Sequence, residues 1–243
     1  MKKNFAIVTG ASRGIGRCAA LSLAREGCSI LAAARENGSR LTELQREITE
    51  VYGRECITAL GDVGSEDFVA SLFAMLPEEA RLEVLVNNAG ISHVGLLQDM
   101  SLAQWERILR TNTTSLFLTC RAAIPIFLRQ GGGSILNVSS VWGVAGASCE
   151  TAYSASKGAV NAFTKALGKE LAPSGIRVNA VAFGAIDTSM NQFLSPEERS
   201  GLEDEIPAGR FGTPAEAGDL IADLALNHPY LTGQIISMDG GWL

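Results

Sequence analysis

Thr9-Gly10-Ala11-Ser12-Arg13-Gly14-Ile15-Gly16 joins the first apolar run of the chain, residues 5–9, to a helical pattern over residues 14–26. Glycine at such a turn lets the backbone bend sharply and approach a pyrophosphate with no side chain in between. The helix that begins there presents free N–H groups and partial positive charge to an anion. The spacing is Gly-x3-Gly-x-Gly, not G-x-G-x-x-G, and an ordinary strand-to-helix turn would also use these residues. Gly10, Ser12, Arg13, Gly14, Ile15 and Gly16 are candidate dinucleotide contacts whose weight depends on the rest of the chain.

Outward from this loop, short apolar runs alternate with amphipathic stretches. Runs at 29–33, 56–60, 83–86, 134–138, 176–181 and 234–237 read as further strands. Helical patterns cover 39–52, 65–75, 101–129, 151–171 and 214–225. Continuously apolar strands separated by helices imply a parallel sheet covered on both faces. The expected fold is α/β, a single-domain Rossmann-type doubly wound parallel sheet of about seven strands with helices on both faces. No Pro/Ser-rich linker divides the chain, so residues 1–243 read as one domain. Residues 195–207 are polar and Glu-rich, and they break the alternation where such folds bind substrate, which predicts a mobile helical flap.

The end of the second strand bears on the cofactor. NAD-binding folds place an acid there for the ribose 2′-hydroxyl, whereas NADP-binding folds supply arginine. The run is Ile30-Leu31-Ala32-Ala33-Ala34-Arg35, with Ala34 at the acid's position and Arg35 after it. Arg13 is a second cation nearby. A guanidinium grips a phosphate with two hydrogen bonds, so the expected cofactor is NADPH/NADP. A solvated helix-entry arginine is the plainer alternative.

Tyr153 and Lys157 stand four apart in Tyr153-Ser154-Ala155-Ser156-Lys157, on one face of the helix over 151–171. A phenol near pKa 10 exchanges protons poorly at neutral pH. A neighbouring ammonium lowers that value, and a shift of two to three units takes roughly 3–4 kcal/mol. With a dinucleotide loop in the same chain, the pair points to carbonyl reduction, NADPH giving the hydride and Tyr153 the proton.

Bulk properties narrow the setting. Net charge is −6 with 47% apolar residues, which fits a globular protein and disfavours a nucleic-acid surface. No apolar run approaches the roughly 20 residues of a membrane span, and residues 1–8 read as a buried first strand rather than a signal peptide. Five irregularly spaced cysteines, Cys18, Cys28, Cys56, Cys120 and Cys149, predict reduced thiols, a cytoplasmic location and no zinc site. Cys149 lies between Ser140 and Tyr153, where it could line a pocket. His93 and His228 are isolated, so no histidine triad or metal cluster is expected.

Along nearly its whole length the chain resembles the short-chain dehydrogenase/reductases. The resemblance rests on Thr9–Gly16, Asp62-Val63, Asn87-Asn88-Ala89-Gly90, Asn112, Ser140 and Tyr153 through Lys157. It implies that Asp62 and Val63 hold the adenine, that Asn88, Ala89 and Gly90 line the path of the nicotinamide ribose, and that Asn87 braces the central strands. Gly184, Ile186 and Thr188 would meet the carboxamide and phosphate end. Ser140, favoured over Ser139 by its distance from Tyr153, would hold the substrate oxygen. Lys157 would also bind the ribose, and Asn112 would anchor a water that returns protons through Lys157. Where the family usually has Pro-Gly, this chain has Phe183-Gly184, which restores an N–H and brings an aromatic ring near the site.

Residues 206–212 and 232–241 are similar to the 3-oxoacyl-acyl-carrier-protein reductases within that family. The implied substrate is a small-molecule carbonyl or a 3-oxoacyl thioester, with acyl-carrier protein as a partner and a homotetramer as the assembly. Those reductases display arginines near the site mouth where this chain has Gly131 and Ser174. Another ketone or a secondary alcohol is thus an alternative substrate. A non-catalytic cofactor sensor, which would typically lack the tyrosine or lysine, is the alternative of a different class.

Overall fold

The computed structural model describes residues 3–192 and 194–243. Strands β1 (Asn4–Thr9), β2 (Ser29–Ala34), β3 (Cys56–Leu60), β4 (Arg81–Asn87), β5 (Gly133–Ser140), β6 (Ile176–Phe183) and β7 (Ile235–Met238) form one sheet. Their order is β3-β2-β1-β4-β5-β6-β7, and every pairing is parallel. The winding direction reverses between β1 and β4, which leaves a crevice beyond their C-terminal ends.

The strands lack polar alternation because both faces are covered. Ala6 and Val8 of β1 pack with Leu23, Leu44 and Ile221 on one side, and Ile7 packs with Leu85, Phe127 and Val160 on the other. Helices α1 (Gly14–Arg25), α2 (Gly38–Tyr52) and α8 (Pro214–Leu226) supply the first layer. Helices α3 (Glu66–Ala74), α5 (Ser115–Gln130) and α6 (Thr151–Leu171) supply the second. Helices α4 (Leu102–Leu109) and α7 (Pro196–Glu205) begin with capping boxes, Ser101 with Gln104 and Ser195 with Glu198.

The helix expected over 101–129 is not continuous. Between α4 and α5 the backbone widens into one π turn, Arg110–Thr114. The turn is Arg-Thr-Asn-Thr-Thr, with no apolar residue to carry a periodicity and no glycine or proline to mark a break, which hides it from a pattern argument. Asn112 consequently sits inside the widened turn, not at the start of a helix.

A polar chain runs through the middle of the sheet. Asn87 and Asn137 pair in register across β4 and β5, and Asn87 Nδ2 donates to Asn137 Oδ1 at 3.0 Å. Thr119 Oγ1 donates to Asn87 Oδ1 at 2.7 Å, and Asn137 Nδ2 donates to Thr164 Oγ1 at 2.9 Å. The chain therefore pins α5 and α6 to the two central strands. Ser134, lower on β5, is buried with its Oγ unpartnered among the described residues.

These two situations predict opposite outcomes. Asn137→Ala leaves Asn87 Nδ2 with only the weak Cys120 Sγ contact and removes a donor from the Thr164 hydroxyl, which keeps its bond to Val160 O, and should cost about 1–3 kcal/mol. Ser134→Ala removes an unpaired hydroxyl and should be neutral or stabilising by up to about 1 kcal/mol. Urea midpoints at constant m-value measure both.

Candidate active site

The C-terminal ends of the strands open into one cavity of about 950 Å³. Its walls are set first by the turn after β1. Thr9 Oγ1 donates to Val86 O at 3.4 Å and accepts from the amides of Asn88 and Ala89 at 3.0 and 3.1 Å. Asn88 Nδ2 donates back to Thr9 O and Gly10 O at 2.9 and 3.1 Å. Gly14 takes φ +55°, and a Cβ there would lie 3.3 Å from Thr188 Cγ2, across the channel. Gly16 has a different reason to be glycine, because a Cβ would stand 2.3 Å from Asn88 Nδ2 and 2.4 Å from Gly10 O.

Of the expected loop residues, Gly10, Ser12, Arg13, Gly14 and Ile15 line the cavity. Gly16 is buried beneath it against Asn88. From β2 come Ala34 and the exposed Arg35, whose Nε lies 3.7 Å from Glu36 Oε1. That acid neighbours the expected 2′-phosphate contact and tempers it. Asp62 and Val63 follow β3, with Asp62 Oδ1 accepting from Gly64 N at 2.8 Å. Asn88, Ala89 and Gly90 follow β4, and Gly184, Ile186 and Thr188 follow β6. A Cβ on Gly90 would make ordinary contact with Asn112 Oδ1 at 3.4 Å and Lys157 Nζ at 3.5 Å, which places this glycine directly over both side chains.

Ser140, Tyr153 and Lys157 also line the cavity. The two neighbouring serines are distinguished by their partners. Ser139 Oγ donates to Asn161 Oδ1 at 2.6 Å, toward α6, whereas Ser140 Oγ accepts from Trp142 N at 3.2 Å and neighbours Tyr153. Lys157 is 3% exposed, and its Nζ donates to Val138 O at 2.7 Å. Asn112 does not reach the cavity. Its amide spans Ile91, accepting from Ile91 N and donating to Ile91 O, both at 2.9 Å, and it also donates to Ser156 Oγ. The side chain thus holds the loop after β4; both amide hydrogens are used, and Oδ1 keeps one lone pair.

The expected direction of the Tyr153 shift is reversed. Burial pushes its phenol up to about 12, hydrogen bonding to Ser140 draws it part of the way back, and the Glu150 charge raises it further. Burial lowers Lys157 to about 8. Lys157 Nζ lies 5.6 Å from the Tyr153 ring centroid and is held on the Val138 carbonyl, so desolvation outweighs its pull on the phenol.

The cavity residues not anticipated include Trp142, Glu150 and Trp242. The tryptophan rings meet edge to face with centroids 4.8 Å apart. Glu150 stands three residues before Tyr153, a spacing that could have flagged it. Cys149 takes φ +62° and lies off the cavity wall, with its carbonyl accepting from Gly95 N at 2.8 Å. Phe183 is buried in the α1–α8 core and forms part of the cavity wall. The flap appears as α7, from which Leu202 and Glu205 line the cavity. Among the described residues there is no His/Cys/Asp/Glu cluster for a metal, and no helix is long and apolar enough to cross a membrane.

The family profile for short chain dehydrogenases matches residues 4–199. An uncharacterized oxidoreductase of Bacillus subtilis is 39% identical over 98% of both chains. A 3-oxoacyl-[acyl-carrier-protein] reductase of Aquifex aeolicus is 37% identical over 99% of this chain and 98% of its own. Among solved structures, a putative NAD(P)-dependent gluconate 5-dehydrogenase of Beutenbergia cavernae with bound NADP superposes with a TM-score of 0.93 at 33% identity. It covers 100% of this chain and 97% of its own.

The Lys157 shift carries a pH dependence. With a folded value of about 8 against about 10.4 unfolded, the unfolded chain binds more protons between them, and stability rises with pH through that window. Tyr153, raised to about 12, acts oppositely above about pH 10, where only the unfolded phenol ionises. Lys157→Met should abolish the rise between about pH 8 and 10, as measured by urea midpoints relative to the parent protein.

Proposed function

The chain belongs to the short chain dehydrogenase family, and on that premise we propose that it is an NADPH-dependent reductase of ketones, acting on a 3-oxoacyl thioester. The observation that carries the proposal is the meeting of Ser140, Tyr153 and Lys157 in the cavity that the glycine loop also lines. That cavity suits a dinucleotide: Gly10, Gly14 and Gly90 keep it free of side chains, and Arg13 and Arg35 offer guanidinium groups to a phosphate. A bound nicotinamide supplies the hydride for the carbonyl carbon.

The protein's own residues handle the oxygen. Tyr153, held near 12, remains a neutral phenol at physiological pH and is a donor for the carbonyl oxygen as hydride arrives at carbon. Ser140 offers a second hydroxyl to that oxygen and stabilises the charge growing on it. Lys157, one helical turn after Tyr153 and drawn below the usual lysine range by burial, is the group placed to return a proton to the tyrosinate. Asn112 is a positioning residue that fixes Ile91 and hence the floor beneath Gly90.

Reduction of another small ketone, or oxidation of a secondary alcohol, is the second reading. It is favoured by the uncharged Gly131 and Ser174, where the similar carrier-protein reductases display arginines. The assembly we propose is a homotetramer, supported by the exposed Leu102, Phe117 and Leu128 of α4 and α5. The seven strands share one sheet, which supports reading residues 1–243 as a single domain.

NADPH oxidation with acetoacetyl-CoA, run beside simple ketones and diketones, tests the substrate. The thioester should lead the panel, and turnover confined to the panel would favour the second reading. Tyr153→Phe should lower kcat by roughly 10³-fold or more while leaving NADPH affinity within a few-fold. NADH binding as tight as NADPH in a fluorescence titration would refute the assignment of Arg13 and Arg35.

A further inference from the structure

Two carboxylates line the cavity toward Tyr153 and α7. Glu150 lines the wall three residues before Tyr153, and Glu205 of α7 lines the rim. Neither is in an ion pair among the described residues. The cavity's other cations gather elsewhere. Arg13 and Arg35 follow β1 and β2, and Arg107 lies one helical turn before Arg110, whose Nε donates to Gly64 O beside Asp62. Lys157 is held on Val138 O.

Glu150 is also half-buried and supported on one side. Trp142, two residues past Ser140, neighbours its carboxyl, and Trp242 braces Trp142 edge to face. Burial raises the Glu150 carboxyl and the Trp142 side chain lowers it, with no cation contributing. A carboxylate accepts about four hydrogen bonds, and the indole offers one donor. The remaining lone pairs are free for a ligand beside the phenol. The same charge reaches Tyr153 and helps hold it protonated.

We propose that Glu150 is a specificity-determining residue that excludes carboxylates from the position next to the reacting carbonyl and admits neutral groups or hydrogen-bond donors there. This deepens the reductase reading, on which it rests, by naming the substrate class: esters and thioesters of 3-oxo acids, not the free acids, and not sugar acids. A carboxylate seated beside Glu150 would meet like charge in a partly desolvated wall, which at an effective dielectric near 20 amounts to a discrimination of about thirtyfold or more. A neutral ester of the same length meets none of that repulsion.

Methyl acetoacetate and acetoacetate differ at that position by one charge. Their kcat/KM values are to be measured with NADPH at pH 7 in the parent protein, in Glu150→Gln, and in Glu150→Ser in case the glutamine variant folds poorly. The parent should favour the ester by about thirtyfold or more, and either variant should narrow that ratio by about tenfold or more, chiefly through a lower KM for the acid. A purely structural role for Glu150 would move both substrates together and leave the ratio unchanged. An unchanged ratio, or a parent ratio near one, would overturn the inference while leaving the reductase reading intact. Failure of the parent to reduce the ester would overturn the inference, and the reductase reading falls with it only if acetoacetyl-CoA and the ketone panel are also left unreduced.

Discussion

A single hydroxyl, that of Thr9, holds the two halves of the sheet in the relation the cavity needs. Where strand order reverses, β1 and β4 part beyond their last shared hydrogen bonds, and the chain on each side would be free to close or splay. Thr9 Oγ1 bridges the gap by donating to Val86 O and accepting two amides from the Asn88-Ala89 turn. The Asn88 amide returns the contact to Thr9 and Gly10. The glycine loop and the turn after β4 therefore form one rigid corner. Gly16 fits beneath this corner only because it has no Cβ. The Asn87–Asn137 chain one residue below does the same for β4 and β5, tying in α5 and α6.

On that frame the site works by burial more than by charge pairing. An apolar wall makes ionisation costly for Tyr153 and for Lys157 alike, pushing the phenol up and the ammonium down. The Glu150 charge adds to the phenol's shift.

Much of this was legible in the sequence. The glycine loop, the strand ends and the Tyr153–Lys157 spacing are local, and parallel strands bring their C-terminal ends to one edge wherever they lie in the chain. Asn112 was less legible. The turn around it is wholly polar, so no apolar stripe records the extra residue, and its amide binds Ile91 and Ser156, contacts that only the fold reveals. Gly16 was read as facing a ligand, but its close neighbour is a protein amide, which only the folded corner reveals. Trp242 meets Trp142 from a segment far along the chain, which no local pattern shows, whereas Glu150 lies within one helical turn of Tyr153 and its spacing marks it. The opposite sign of the Tyr153 shift also follows from depth, which spacing does not encode.

The left-handed Cys149 ties together two segments whose neighbouring residues, Val94, Ser148 and Glu150, line the cavity. Its carbonyl accepts from the Gly95 amide, joining the stretch after β4 to the stretch between β5 and α6 through one hydrogen bond. Segments tied in this way separate together or not at all. The Gly95 amide proton passes to water when that bond parts, so its hydrogen-exchange rate is a clock that counts how often the wall of the site comes apart.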